Sequence, residues 1–190
     1  IKALIVAFLR ERGLELSDDK TLITNINEGF DFLGWNFRKY KGKLLIKPSK
    51  KSIKRFTETI NQTITEGMAW SQEVLIAKLN PIIRGWSNYH NSVVSSDTFQ
   101  KLDHIIWELL WKWTKRRHPN KSKDWIVNKY WKRNTFRRWN FRTEVNELLL
   151  LSKTRICRHI PLKLNMNPFL DENYFRERRY NLSSRKSQLI

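Results

Sequence analysis

Apolar residues recur at helical spacing in four stretches of the chain. The first contains Leu4, Ile5, Phe8 and Leu9, and Gly13 is a suitable stop after it. Three further stripes lie between residues 49 and 118, and each predicts an amphipathic helix. These stripes consist of Ile53, Phe56, Ile60 and Ile64; of Leu75, Leu79, Ile82, Ile83 and Trp86; and of Phe99, Leu102, Ile106, Leu109 and Trp113. Three such helices with short links predict a small bundle.

Local signals set the limits of the bundle helices. Ser71 is a suitable cap for the second helix, and Asp97 with Gln100 has the spacing of a capping box for the third. Pro81 interrupts the second stripe. The pattern allows either a kink at this point or a fresh helix start capped by Asn80.

Strand patterns flank the bundle. Aromatic residues in alternation predict one strand over residues 30–37, and residues 44–46 predict the returning strand of a hairpin. Lys41 and Gly42 lie between the two and are suited to a turn. The chain is therefore predicted to be mainly α with a small β-hairpin.

The last third of the chain gives weaker patterns. Residues 125–131 predict a short helix, and residues 139–141 and 148–151 predict strands. Pro161 and Pro168, among many Asn residues, predict an irregular tail that frays at its end.

The chain is strongly basic. It has 37 Lys and Arg against 18 Asp and Glu, which gives a net charge of +19 over 190 residues. A polyanion is the expected partner, because each phosphate contact releases a condensed counterion. Each basic cluster alone is typical of a solvated face, but the set favours contacts with an RNA backbone. The clusters are Lys50, Lys51, Lys54 and Arg55; Lys115, Arg116 and Arg117; Lys132 and Arg133; and Arg137 and Arg138.

Other residue types narrow the class further. The single cysteine, Cys157, excludes an internal disulfide and a multi-cysteine zinc site. It suits a reducing compartment, either the cytoplasm or an organellar matrix or stroma. The four histidines are scattered, so we expect no metal site, and no apolar run is long enough to span a bilayer. Most of the 24 aromatic residues (9 Trp, 10 Phe and 5 Tyr) are expected in the core, but rings among cations also stack on unpaired bases.

Three stretches of the sequence together resemble one family. Residues 13–21 followed by 29–35 are similar to the end of the palm of group II intron reverse transcriptases, up to their primer-grip hairpin. Residues 79–90 resemble the signature helix of the maturase-specific domain, which is the thumb of these enzymes. Residues 125–131 with 139–141 are similar to the region after the thumb. The resemblance covers most of the chain.

The resemblance implies an organisation in three parts. Residues 1–48 would be a partial reverse-transcriptase palm that ends in a primer-grip-like hairpin, and residues 49–118 a helical thumb bundle, also called domain X. Residues 119–190 would form a small basic region that binds nucleic acid. The primer-grip-like residues would be Phe32, Leu33, Gly34 and Trp35.

The family binds its own intron RNA, helps this RNA to fold for splicing, and copies it into DNA. The resemblance therefore implies group II intron RNA as the partner, with target DNA as a second candidate and the oligomeric state left open. In one interpretation of the motif at residues 84–89, Arg84 faces RNA. In a structural interpretation of the same motif, Gly85 lets another backbone approach closely while Trp86 and Tyr89 pack the bundle.

Polymerase chemistry in this family requires paired carboxylates that hold two Mg²⁺ ions, within an Ala-Asp-Asp hairpin upstream of residues 13–21. This chain does not contain that hairpin. Asp18 and Asp19 are predicted to serve a turn or cap, and Lys20, which matches a palm lysine near the incoming nucleotide, is predicted to be solvated. We expect no catalytic residue, no cofactor and no DNA synthesis for this chain alone, and Mg²⁺ only in the full-length parent enzymes.

The prediction is a maturase domain that binds intron RNA and assists its splicing. Two alternatives come from the same family: part of an active reverse transcriptase cut at Ile1, or an inert remnant of a degenerate reading frame. A third is an unrelated general nucleic-acid-binding protein. The order and spacing of the first two motifs argue against this third alternative, whereas charge alone would not.

Overall fold

The computed structural model describes residues 2–134, 137–157, 162–163, 165–167 and 169–187. Within these residues the protein is mainly α-helical, with two small antiparallel sheets. The chain divides into two compact units, Ile1–Ile46 and Lys47–Ile190.

The first unit consists of a helix followed by a three-stranded sheet. Helix α1 spans Lys2–Arg10, and a 3₁₀ turn at Asp18–Lys20 follows it. The sheet has the order β1-β2-β3, with β1 at Phe30–Phe32, β2 at Trp35–Tyr40 and β3 at Lys43–Pro48, the last two residues of which belong to the second unit.

The prediction of a single strand over residues 30–37 is wrong. Leu33 and Gly34 have φ values of 48° and 80° and reverse the chain, so that Phe32 pairs with Trp35 across a two-residue turn. Positive φ at both central positions matches the twist of antiparallel strands. The predicted turn at Lys41 and Gly42 is confirmed, and it too has two positive φ values, 47° and 81°.

The predicted three-helix bundle forms the core of the second unit. Helices α2, α3 and α4 span Lys50–Glu66, Gln72–His90 and Ser96–Arg117. The Oγ of Ser49 accepts the N–H of Ser52 at 3.1 Å and caps α2. The predicted stripes face inward, and their buried members are Phe56, Ile60, Ile64, Leu75, Leu79, Ile83, Phe99, Leu102, Ile106 and Trp113.

Two predicted helix signals are replaced by other contacts. Helix α3 continues through Pro81, so a fresh start capped by Asn80 is wrong. The Asn80 side chain instead donates to the carbonyl of Glu147 at 3.0 Å and accepts the N–H of Leu149 at 2.9 Å. The capping box is also wrong, because α4 begins at Ser96 and Asp97 lies inside its first turn.

A helix and a hairpin pack on the bundle within the same unit. Helix α5 spans Lys123–Tyr130, and strands β4 (Trp131–Asn134) and β5 (Arg137–Phe141) pair antiparallel. These elements confirm the predicted short helix and the predicted strand at residues 139–141.

The predicted strand at residues 148–151 is wrong. An isolated bridge joins Arg142 to Glu147, and a 3₁₀ turn follows at Leu151–Lys153. The two carboxylate oxygens of Asp103 accept the N–H groups of Leu151 and Ser152 and hold this turn on α4. The irregular tail is also wrong for part of its length, because helix α6 spans Glu172–Ser187. Its polar sequence lacks the apolar stripe that a pattern search requires.

Candidate nucleic-acid interface

The start of helix α2 presents a basic face. Lys50, Lys51, Lys54 and Arg55 are all exposed, because the inward stripe of α2 begins at Ile53 and Phe56. Lys54 lies 3.8 Å from Glu58, an exposed pair that adds little stability. The first turn of α2 contains no acidic residue. Cations there oppose the helix dipole, so this face is more easily explained by an anionic partner than by fold stability.

Helix α3 is joined to the start of α2 by a polar contact. The Oγ of Ser52 lies 3.1 Å from Nε2 of His90, and the indole N–H of Trp86 donates to the same Oγ at 3.3 Å. The Trp86 ring stacks on Phe56 with centroids 4.7 Å apart. Burial lowers the pKa of His90 to about 4, so this histidine is neutral at pH 7. The basic face of α2 is thereby fixed at the His90 end of α3.

A second basic surface surrounds Arg84 on α3. This exposed residue borders a groove of about 410 Å³ that is also lined by Lys153 and Arg155. Lys153 lies 3.6 Å from Glu147, which also borders the groove. Lys153 and Arg155 were not predicted. They stand singly in the sequence, and only the turn held by Asp103 brings them beside α3.

The motif around Arg84 differs from its structural interpretation at two residues. Trp86 packs into the bundle as expected, whereas Tyr89 is 48% exposed. Gly85 is exposed, and a Cβ atom added there would meet nothing within 4 Å. The interpretation of Gly85 as a point of close backbone approach within the bundle is therefore wrong.

The cluster at the end of α4 contains two kinds of side chain. Lys115 and Arg116 are exposed, but Arg117 is half-buried. The Arg117 guanidinium donates to the carbonyls of Met68 and Trp70 and lies 4.6 Å above the ring of Trp113. Arg117 thus joins the end of α4 to the end of α2.

The predicted clusters consequently lie at two ends of the bundle. Trp113 donates its indole N–H to the carbonyl of Gly67, which follows α2, whereas Ser52 at the start of α2 contacts His90. Helix α2 has 17 residues, or about 25 Å at 1.5 Å per residue. The α2 cluster is therefore separated from Lys115 and Arg116 by roughly the length of this helix.

The cluster on the β4–β5 hairpin is described in part. Lys132 is half-buried, and its Nζ lies 3.4 Å from Oε1 of Glu144. The backbones of Arg133, Arg137 and Arg138 belong to β4 and β5, but their side chains lie outside the described part of the structure.

Residues 53–131, which include all of α3, α4 and α5, match a family model described as the maturase-specific domain of group II introns. Over this range the chain is similar to the maturase-specific domain of group II introns. The resemblance read from residues 79–90 is thereby confirmed, because these residues form the second half of α3 within the matched range.

Two curated relatives are also similar to this chain. The chain is 32% identical over 89 residues to maturase-like protein 1 of Euglena gracilis, a match over 45% of the chain and 19% of the relative. It is 30% identical over 130 residues to the ribosomal operon-associated A protein of Euglena longa, over 67% of the chain and 25% of the relative. The chain thus spans about a fifth to a quarter of the length of these relatives.

Outside residues 53–131, the two adjacent aspartates of the first unit belong to a short turn. Asp18 and Asp19 lie in an exposed 3₁₀ turn, where the carboxylate of Asp18 pairs with the Nζ of Lys2 at 3.1 Å. Among the described residues, no three His, Cys, Asp or Glu side chains come together as a metal site would need. Of the residues predicted to resemble a primer grip, Phe32 and Leu33 are exposed, and Gly34 and Trp35 are partly buried.

None of the helices in the described residues combines the length and the apolar character that crossing a membrane requires.

Proposed function

We propose that this chain binds group II intron RNA through its maturase-specific domain and assists the splicing of that RNA. The match of residues 53–131 to the domain carries this proposal. The exposed cations at both ends of the bundle support it, since phosphate contacts supply most of the affinity of RNA-binding surfaces.

The basic face of α2 and the groove at Arg84 are the proposed contacts with the RNA backbone. Lys50 and Lys51 directly precede Ser52, which contacts His90, and Arg84 lies six residues before His90 on α3. A folded RNA that spans both surfaces would be held in register by phosphate contacts at several points. Holding distant segments of an RNA together is the physical basis on which a protein would favour its splicing-competent fold.

The first unit has a separate proposed role. We propose that Ile1–Ile46 is the end of a reverse-transcriptase palm, whose primer-grip-like turn is the pair Phe32 and Trp35 around Leu33 and Gly34. Reverse transcription, Mg²⁺ binding and contact with target DNA would then belong to a longer protein. This extension rests on the family resemblance.

Binding isotherms at several salt concentrations test the RNA-binding proposal. For intron RNA, log affinity should fall steeply with log salt, by about 0.7–0.9 per phosphate neutralised. The double variant Lys51→Ala with Lys54→Ala should weaken binding and make this slope shallower by about 1 for each phosphate that is no longer neutralised. Both side chains point away from the core stripe, so the variant should fold.

A matched control separates a local effect from a change of net charge. Lys101→Ala with Lys112→Ala removes the same charge from exposed positions of α4 outside the predicted clusters. This control should change the slope less than the α2 variant does. Equal effects would show that only total charge matters.

Competition with bulk transfer RNA tests selectivity. Intron RNA should compete better than transfer RNA at matched phosphate concentration and moderate salt. A steep slope without any such preference would indicate a general polyanion binder and favour the inert-remnant alternative. A flat salt dependence would contradict the electrostatic argument itself.

A further inference from the structure

One face of α4 carries a column of rings that the core does not fully enclose. His104, Trp107 and Trp111 recur at helical spacing, and adjacent rings are nearly parallel, with interplanar angles of 8° and 13°. Their centroids are 6.1 and 5.7 Å apart. His104 is exposed and the two tryptophans are partly buried. The column therefore begins at the surface and runs inward along the helix.

Strand β5 brings a fourth ring across this column. The ring centroid of Trp139 lies 6.3 Å from that of Trp107 and 6.4 Å from that of Trp111, and the residue is 42% exposed. Strand β5 is held in place around Trp139 because β5 pairs with β4 and because Phe141 is buried, with its ring centroid 5.3 Å from that of Trp131. The ring of Trp139 is thus held beside α4 while part of it faces solvent.

A cavity of about 480 Å³ opens between these elements. Pockets that hold small organic groups commonly have volumes of roughly 300–1,000 Å³. Trp107, Trp139 and Leu149 line it, together with Asn140, which is 5% exposed. The side-chain Nδ2 of Asn140 has no hydrogen-bond partner among the described residues. Such a buried polar group is uncommon in a folded protein and indicates an incomplete set of partners at this point.

The sequence around the cavity has the charge of a phosphate-binding segment. Residues 125–143 contain six Lys and Arg and no Asp or Glu. Both strands of the hairpin belong to this stretch. An aromatic cavity bordered by a chain segment of this charge suits a ligand that combines a flat ring with a phosphate backbone.

We infer that the cavity between α4 and β5 takes one unpaired nucleobase of a bound RNA, with the partly exposed ring of Trp139 as its stacking face. This inference rests on the proposed RNA binding and adds a site that reads unpaired segments. Phosphate contacts alone do not distinguish an unpaired base from a missing one, whereas a stacking cavity does.

The first test uses the unchanged protein and short single-stranded oligoribonucleotides. One internal nucleotide is replaced by an abasic residue, and the replacement is moved along the oligonucleotide. Loss of one stacked base should weaken binding roughly fivefold to 150-fold at the position that enters the cavity. Equal affinity for the intact and abasic oligonucleotides at every position would overturn the inference.

The second test assigns this effect to the cavity. Trp139→Ala should weaken binding of the intact oligonucleotide by a similar factor and leave the abasic one unaffected, whereas Trp139→Phe should retain most of the affinity. Trp125→Ala is the matched control. Trp125 is 36% exposed on α5 and lies under Lys121 and Lys129, outside the cavity. Its loss should therefore not change the ratio of the affinities for the intact and the abasic oligonucleotide. An equal change in both alanine variants would overturn the inference.

Salt dependence separates this inference from the proposed function. Trp139→Ala should leave the salt slope unchanged, because it removes no phosphate contact. Steep salt-dependent binding that is insensitive to abasic positions would reject the cavity and leave RNA binding intact. Absence of RNA binding at low salt would reject both.

Discussion

In the unit Lys47–Ile190, the apolar stripes of α2, α3 and α4 face one another, and Leu75 and Leu79 are completely buried. In the unit Ile1–Ile46, the stripe of α1 is just as regular, yet Leu4 is 75% and Phe8 55% exposed. No described residue of this first unit is buried. Periodicity therefore predicts where a helix forms in both units, but it does not tell whether the apolar face of that helix finds a partner.

The first unit exposes apolar side chains outside α1 as well. Leu22 and Ile23 are more than four-fifths exposed, in addition to the α1 residues. The second unit, by contrast, has a core of its own, and the RNA-binding surfaces proposed above all belong to it.

Paired substitutions of phenylalanine should show the largest difference between the units. Phe99 is 1% exposed in the core, so Phe99→Ala should lower the free energy of unfolding by about 3–5 kcal/mol. Phe8→Ala should change it by no more than about 0.5 kcal/mol. Urea unfolding followed by tryptophan fluorescence measures this, since Trp35 is the single tryptophan of the first unit and eight others lie in the second. Similar costs would show that α1 is packed in solution.

Acid should destabilise the second unit in particular, because no histidine occurs in residues 1–46. Burial lowers the pKa of His90 from 6.5 to about 4, so the unfolded chain binds more protons between these values. The His90 contribution to stability is complete above about pH 6.5 and is lost as the pH falls to 4. The loss should amount to at most about 3 kcal/mol.

Unfolding curves of His90→Gln between pH 4 and 7 check this prediction. The variant should be less dependent on pH than the unchanged protein. Some dependence should remain, since burial and then Lys129 also lower the pKa of His118. His104→Gln, at an exposed position on α4, is the control and should retain the original pH profile. An unchanged pH profile in His90→Gln would contradict the assignment of this loss of stability to His90.

Arg12 in the first unit and Arg117 in the second make the same kinds of contact, with a backbone carbonyl and with an aromatic ring, but they differ in burial. Arg12 donates to the carbonyl of Phe8 at 2.8 Å and lies 3.6 Å above its ring, on the surface. Arg117 donates to the carbonyls of Met68 and Trp70 and stacks on Trp113, half-buried. Arg117→Ala should lower the free energy of unfolding by about 1.5–3 kcal/mol, because it removes hydrogen bonds from a charged group and leaves two carbonyls unpaired.

Arg12→Ala should cost no more than about 0.5 kcal/mol, because water replaces its contacts. Thermal melts of both variants measure the difference. A cost for Arg117→Ala as small as that for Arg12→Ala would return Arg117 to the exposed basic cluster predicted from the sequence.

The sequence predicted the bundle well and the site less well, for a physical reason. Stripes such as Ile53, Phe56, Ile60 and Ile64 indicate a helix and its apolar face directly, because a helix repeats every 3.6 residues. Charge carries no such signal, so Arg117 could not be distinguished from Arg116. Nor could Lys153 be placed beside Arg84, because the connection depends on Asp103 and on hydrogen bonds between distant parts of the chain.

The smallest effects on stability are expected for alanine substitutions at two glycines, Gly13 and Gly85. A Cβ added to either would meet nothing within 4 Å, so packing predicts no difference between their alanine variants. Backbone conformation does predict one. Gly13 has a φ of 69°, where alanine is strained, so Gly13→Ala should destabilise the first unit by about 1 kcal/mol.

Gly85 lies inside α3, where glycine costs about 0.8–1 kcal/mol relative to alanine. Gly85→Ala should therefore stabilise the second unit by up to that amount. Hydrogen exchange on α1 and on α3 measures the two effects separately. Gly67→Ala is a further control, because its Cβ would lie 2.6 Å from the Trp70 ring and should destabilise the protein. Destabilisation by Gly85→Ala as well would mean that another backbone approaches α3 there, as the sequence motif first indicated.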